Sequence, residues 1–283
     1  MAAGWGCFVK LVRPAAVAGM FYPGEAAVLR TEVERLLARA EHDGEAAAAP
    51  WPKAIIVPHA GYIYSGAVAA SGYALLAKGR GHIRRVVLLG PAHRLPFRGL
   101  ALPGVQAMQT PLGTVAVDQA GVEALAGLSE VREMPAAHAQ EHALEVQLPF
   151  IQEVLGDVSV VPLVVGDARP DEVAQVLEKL WGGEETVIVI SSDLSHYHPY
   201  AEARAIDHHT VEEILRFDPT PIDHEQACGA TPINGLLPVA RKHHLHPRLV
   251  GLCNSGDTAG SRDAVVGYAT VAFYGESHDH AGR

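Results

Sequence analysis

The chain has 283 residues, 48% of them hydrophobic, and a formal net charge of −10, which is apolar material enough for a core of one or two domains. No run of Lys or Arg exceeds two, so the basic stripe of a nucleic-acid binder is missing, and no apolar stretch nears the ~18 residues that cross a bilayer. Cys7, Cys228 and Cys253 lie far apart without CxxC spacing, which argues against a disulfide framework or zinc ribbon and points to a reducing, cytoplasmic setting.

In chain order, RPAAVAGMFYPG is a turn-rich opening. Val28, Val33, Leu36 and Leu37 then recur at helical spacing, which predicts an amphipathic helix over 25–40. GEAAAAPWP reads as a flexible loop. KAIIVP and RRVVLLG are short, β-branched and almost continuously apolar, as strands buried on both faces are. The small-residue stretch 65–78 between them reads as a helix, giving one crossover unit. RGLALPG and GTVAV are weaker strand candidates, read as a hairpin or an edge excursion. Asp118 can cap a helix running through Leu125. EHALEVQLPFIQEVLG spaces Leu144, Leu148, Ile151 and Leu155 three or four apart, a helix that Pro149 should kink or end in its first half. VSVVPLVVG and TVIVISS are two more buried strands around a helix over 170–181. Helical patterns follow over 202–217 and 232–241, and VVGYATVAFYG closes the chain as a strand. No composition break divides the sequence, and candidate site residues come from both halves. Residues 1–283 therefore read as one α/β domain.

Those candidates gather where strands run into turns. His59 follows Pro58 in IIVPHAG, and His93 repeats the arrangement in LLGPAH. Neutral imidazole is the commonest metal ligand, and two from adjacent parallel strands can converge on one ion. Asp193 and His196 sit past a third strand, in SSDLSHY. A carboxylate beside an imidazole fixes its tautomer and suits acid/base work; the plainer reading makes Asp193 the cap of the next turn. His142, in EHALE, would share a helical face with Glu145, as a site residue or as part of a solvated ion pair. Cys228 precedes a helix beginning near Pro232, whose N-terminus would lower the thiol pKa and favour a thiolate ligand. Its alternative is a buried, apolar cysteine. Tyr62 and Tyr64 can reach a ligand or pack half-buried, and Arg94 can pair an anionic group. NSGD, residues 254–257, reads as a structural turn, and the histidines at 243, 244, 246, 278 and 280 as surface. There is no GxSxG elbow, Walker loop or GxGxxG after the first strand, which removes serine hydrolases, nucleotide hydrolases and dinucleotide enzymes.

The ordered series RPAAVAGMFYP, IIVPHAGYIYSG, LLGPAHR, EHALEVQLPF, VVPLVVGD, VISSDLSHY, CGATPINGLL, NSGD and VVGYA resembles, nearly end to end, the MEMO family, whose bacterial and archaeal form is called AmmeMemoRadiSam system protein B. That family is similar in fold to the LigB-type class III extradiol dioxygenases, non-haem Fe(II) enzymes that open catechol rings. The resemblance implies a single three-layer α/β domain around a central, mostly parallel sheet. It implies a metal site of His59, His93 and Cys228, with Asp193 and His196 as catalytic residues beside it. His196 would match the dioxygenases' acid/base histidine. Tyr62, Arg94 and His142 are the expected substrate-binding residues. Fe(II) is the expected metal, with copper or zinc as alternatives, because a thiolate is softer than the carboxylate those enzymes use. The expected activity is a metal-dependent oxidoreduction. The alternative is a catalytically inactive module that holds a small molecule, peptide or protein in the same cleft. The family name points to AMMECR1-type and radical SAM proteins as partners.

Overall fold

The computed structural model describes residues 11–42, 51–218 and 220–275. The first half contains strand β1 (Val12–Arg13), helix α1 (Ala26–His42), β2 (Ala54–Val57), α2 (Tyr62–Leu76), β3 (Arg85–Pro91), β4 (Leu100–Leu102), β5 (Ala107–Thr110), β6 (Gly113–Val117), α3 (Gln119–Ala124), β7 (Val131–Glu133) and α4 (Pro135–Ala139). The second contains α5 (Leu148–Leu155), β8 (Ser159–Val165), α6 (Pro170–Leu180), β9 (Thr186–Ser191), β10 (His196–His198), α7 (Tyr200–Arg216), α8 (Ala230–Lys242), β11 (His246–Asn254) and β12 (Val265–Tyr274). The strands form one twelve-stranded sheet with the main order β1-β5-β6-β8-β3-β9-β2-β12-β10. Its centre, from β6 through β8, β3 and β9 to β2, is parallel throughout.

Two-residue periodicity divides this sheet between two cores. Ile55 and Val57 of β2 face one side, with Leu29, Val33 and Leu36 of α1, Tyr73 of α2 and Phe150 of α5. Ala54 and Ile56 face the other, with Val173 and Leu177 of α6, Val211 of α7 and Leu236 of α8. Helices therefore cover both faces, which is why the central strands are continuously apolar. The result is the three-layer α/β arrangement. No described helix is long and apolar enough to cross a membrane.

Several local expectations change. In α1 the inward stripe is Leu29, Val33 and Leu36, while Val28 is exposed. The weak strand GTVAV pairs antiparallel with the unanticipated β5, whereas β4 lies between β7 and β8. Residues 141–155 are not one kinked helix. A single 3-10 turn, Glu145–Gln147, leads into α5, and Pro149 stands in the first turn, where a missing N–H costs nothing. Asp118 does cap α3, accepting from Gly121 N at 3.0 Å. The loop expected in GEAAAAPWP falls largely outside the described residues, as do Cys7, His278 and His280.

Candidate metal centre

Strands β3, β9 and β2 are neighbours, and their carboxyl ends bring residues 59, 93 and 191–193 to one edge of the sheet, where open α/β folds place their chemistry. The His59 and His93 rings lie 5.1 Å apart, edge to face. A third ring, His142, stands 5.4 Å from His59 and 4.6 Å from His93. One nitrogen from each of these three rings lies within 4.8 Å of the other two. Imidazole nitrogens are common metal ligands, and these three could together hold one ion.

The proton positions follow from the partners. Glu141 is buried and accepts from His93 N at 2.6 Å, His142 N at 2.9 Å, Ala143 N at 3.0 Å and the His93 ring Nδ1 at 2.9 Å. Burial pushes the Glu141 pKa up, but the His93 ring and the backbone N–H groups outweigh it and hold it at about 2. An ionised carboxylate only accepts, so His93 carries its proton on Nδ1 and presents the Nε2 lone pair. That is the carboxylate–histidine support typical of metal ligands. His59 Nδ1 lies 2.9 Å from Ser191 Oγ, and burial, then the neighbouring His93, lowers its pKa to about 3. Burial, then His59 and His93, lowers His142 to about 4. Its Nδ1 is buried without a hydrogen-bond partner, although Glu141 Oε1 is 3.3 Å away. Clustered imidazoles with an orphaned nitrogen are a donor set that a cation fits.

Cys228 Sγ lies 3.3 Å from His59 Nε2, beside the trio but outside the mutually close set. Its turn is tethered by Gly229 N, which donates to Ser192 Oγ at 2.9 Å. A β-carbon at 229 would meet Ser192 Cβ at 2.5 Å, so glycine permits this approach. The helix N-terminus does not lower the thiol pKa as expected: burial, then Asp193, pushes it up to about 12. The thiol donates to Asp193 O at 3.6 Å and lies against His59 Nε2. Asp193 is buried too, and burial raises its pKa. Its Oδ1 accepts from His59 N at 2.7 Å and Ala60 N at 3.3 Å, so it caps the turn after β2 rather than its own. His196, on β10, donates Nδ1–H to Leu194 O at 2.8 Å instead of bonding Asp193. Its ring is partly exposed.

Tyr62 is buried between Tyr22 and Phe150, with its hydroxyl donated to Val146 O at 2.7 Å. Arg94 is exposed at the rim. Tyr64 lines a cavity of about 840 Å³ together with Met20, Phe21, Val28 and Ile63. This cavity adjoins the histidines through Phe21, whose ring centroid is 4.5 Å from His142. The solvated ion pair expected at Glu145 is instead fully buried, with Arg13 as partner. Sequence reasoning gave no role to Glu141, Ser191, Gln147 or Phe21. The available signal was polar residues inside otherwise apolar segments, Ser191 ending a strand and Gln147 opening a helix.

Fold and site together define an α/β protein with a three-histidine cluster that can bind a metal ion at the carboxyl ends of its parallel strands. The chain belongs to the MEMO family: the family of Memo-like proteins matches residues 13–272. A MEMO1 family protein of Ignicoccus hospitalis is 37% identical, covering 93% of this chain and 99% of that one. Those of Sulfurisphaera tokodaii and Thermotoga petrophila are 32% and 33% identical, each over 93% of this chain and 99% of its own. Among solved structures, an uncharacterized protein of Escherichia coli K12, JW3007, is similar with a TM-score of 0.48 and 14% identity, over 78% of this chain and 99% of that one.

Proposed function

We propose that this MEMO family chain is a metal-dependent oxidoreductase with a mononuclear centre held by His59, His93 and His142, and with the Cys228 sulfur positioned to complete the shell. The observation that carries this reading is the trio itself, three imidazoles with ligand nitrogens within 4.8 Å of one another. Fe(II) is the metal we assign, with copper and zinc as the alternatives, since imidazole suits all three and the sulfur favours the softer ones. Bound there, the metal supplies Lewis acidity and, when redox-active, electron exchange with O2 or an organic substrate. The chain's own residues do the rest. Glu141 orients His93, and Asp193 holds the turn that carries His59. His196, with its Nδ1–H committed to Leu194 O, offers Nε2 as the base that takes a substrate proton. The unpaired Cys228 and Cys253 suit a reducing, cytoplasmic compartment.

The test is metal content after anaerobic purification. Near-stoichiometric metal in the wild type, lost in His59→Ala, His93→Ala and His142→Ala, is the expected result. Cys228→Ser should retain metal with lower affinity and lose sulfur-to-metal charge-transfer absorption on loading with Cu(II). Equal metal in all four variants would remove the assignment.

A second reading, a module that binds a peptide or protein partner, draws on a different observation. Met20, Val28 and Ile63 are exposed around the cavity that Phe21 joins to His142, and exposed apolar clusters mark interaction sites. AMMECR1-type and radical SAM proteins are the candidate partners. Co-purification with them that survives His59→Ala but not Ile63→Asp would favour this reading over the first.

A further inference from the structure

We infer that Ser191, held by Ala143 O and supported by Gln147, is a positioning residue that locks His59 in the tautomer able to bind metal. The inference rests on the metal reading above. It is carried by a count of hydrogens that has one solution.

Tyr73 O–H donates to Gln147 Oε1 at 2.9 Å. Gln147 Nε2 lies 2.9 Å from Pro58 O and 2.8 Å from Ser191 Oγ. Pro58 O only accepts, so the amide cannot be flipped, and its two N–H groups go to Pro58 O and Ser191 Oγ. Ser191 Oγ also lies 2.7 Å from Ala143 O. That carbonyl only accepts as well, so the single hydroxyl proton of Ser191 points to it. The serine oxygen then has two lone pairs for two donors. One donor is Gln147. The other must be His59, 2.9 Å away, and His59 can donate only with its proton on Nδ1. Placing the proton on Nε2 would set acceptor against acceptor in a fully buried site, where an unmade hydrogen bond costs more than a made one gains.

The consequence is chemical. With Nδ1–H fixed, the Nε2 lone pair faces Cys228 and the other histidines. The free choice between tautomers is removed before a metal arrives, and ring orientation is fixed with it. Ser191 touches neither metal nor substrate, so it acts through His59. Ser191 ends the central strand β9 and is completely buried, while Tyr73 anchors the far end from α2. The hydrogen-bonded support therefore spans three elements of the fold.

The test uses the full chain stripped of metal with chelator, with histidines labelled with 15N, and then titrated with Zn2+. In the wild type, long-range 15N–1H spectra should show His59 as the Nδ1–H tautomer. Ser191→Ala should populate the other tautomer and lower Zn2+ affinity about 10- to 100-fold, as outer-shell substitutions do, whereas Gln147→Met, which leaves Ser191 donating to Ala143 O, should keep His59 as the Nδ1–H tautomer. Tyr73→Phe, which leaves both Gln147 donors in place, should lower Zn2+ affinity less than about threefold. A merely structural role would lower thermal stability without moving the tautomer signals. The inference is overturned if Ser191→Ala keeps His59 as Nδ1–H with wild-type Zn2+ affinity. If the wild type binds neither Zn2+ nor Fe(II), the metal reading fails and this role with it, while the tautomer spectra still report the Ser191 contact separately.

Discussion

Glu145→Ala should be among the most destabilising single changes in this chain. Glu145 is fully buried and Arg13 is 5% exposed. The carboxylate accepts from the Arg13 guanidinium, from Ala16 N at 2.8 Å, from Val17 N at 2.9 Å and from the Tyr22 hydroxyl at 2.5 Å. Removing it leaves a buried guanidinium without counter-charge and two backbone donors without acceptors. Breaking a buried pair in this way costs about 3–5 kcal/mol, which at ~2–4 °C per kcal/mol for a chain of this size lowers the melting temperature by roughly 10 °C. Arg13 keeps its bonds to His138 O and Glu141 O, so Arg13→Met combined with Glu145→Leu should recover only part of the loss. Urea titration gives the magnitude, and hydrogen exchange gives the location. The amides of Ala16 and Val17 should lose protection while those of β3 and β8 keep theirs. A loss below about 1 kcal/mol, or exchange spreading evenly over the sheet, would refute the reasoning.

Glu141→Gln should lower metal affinity about 10- to 100-fold, read by anaerobic titration, because the neutral amide holds His93 Nδ1–H less firmly; unchanged affinity would remove Glu141 from the site. His138, buried and donating Nε2–H to Ala101 O at 2.8 Å, is lowered by burial from 6.5 to about 4. Its folded pKa lies below its unfolded one, so unfolding takes up a proton. Its stabilising contribution is whole above pH ~6.5 and declines by about 3 kcal/mol as pH falls to 4. Stability measured by urea at pH 7, 6, 5 and 4 should show a shallower decline in His138→Gln than in the wild type, and equal slopes would count against this. Gly229→Ala drives a β-carbon to within 2.5 Å of Ser192 Cβ and should cost about 1–3 kcal/mol. It should also move Cys228 away from His59, which a faster reaction of the thiol with an alkylating reagent would report; an unchanged rate would not fit.

The parts of the fold legible in the sequence are those where one physical cause dominates. β2, β3, β8, β9 and β12 are buried on both faces, so their residues must be apolar in succession, and the runs AIIV, RVVLLGP and TVIVIS carry that constraint openly. β11 escaped notice because HPRLVGLCN is only half covered and mixes polar with apolar residues. β1, β7 and β10 are two or three residues long, too short for any periodicity. The spacing of Leu144, Leu148, Ile151 and Leu155 is satisfied equally by one helix and by a 3-10 turn followed by a helix, so the pattern could not choose. His59 and His93 were readable because each follows Pro at a strand end. Glu141 was not, because its partner His93 lies 48 residues away and only the folded chain brings them together.

The supports of the two strand-end histidines are not independent of each other. The Ala143 N–H donates to Glu141, which fixes His93, while the Ala143 carbonyl accepts from Ser191, which fixes His59. One peptide segment thus ties both tautomers together, and groups that share a partner have coupled rather than additive effects. The same segment carries His142, whose buried Nδ1 makes no hydrogen bond. Burying that atom unpaired costs about 1–3 kcal/mol, and the fold bears this cost beside two rings whose lone pairs are already set. A network that fixes the Nδ1 protons of two rings, yet leaves a nitrogen of the third without a hydrogen bond, is an arrangement that could accept a cation. That is the physical content of calling these three histidines a candidate metal centre, and it does not depend on Cys228, whose proton burial holds more tightly than that of an ordinary thiol.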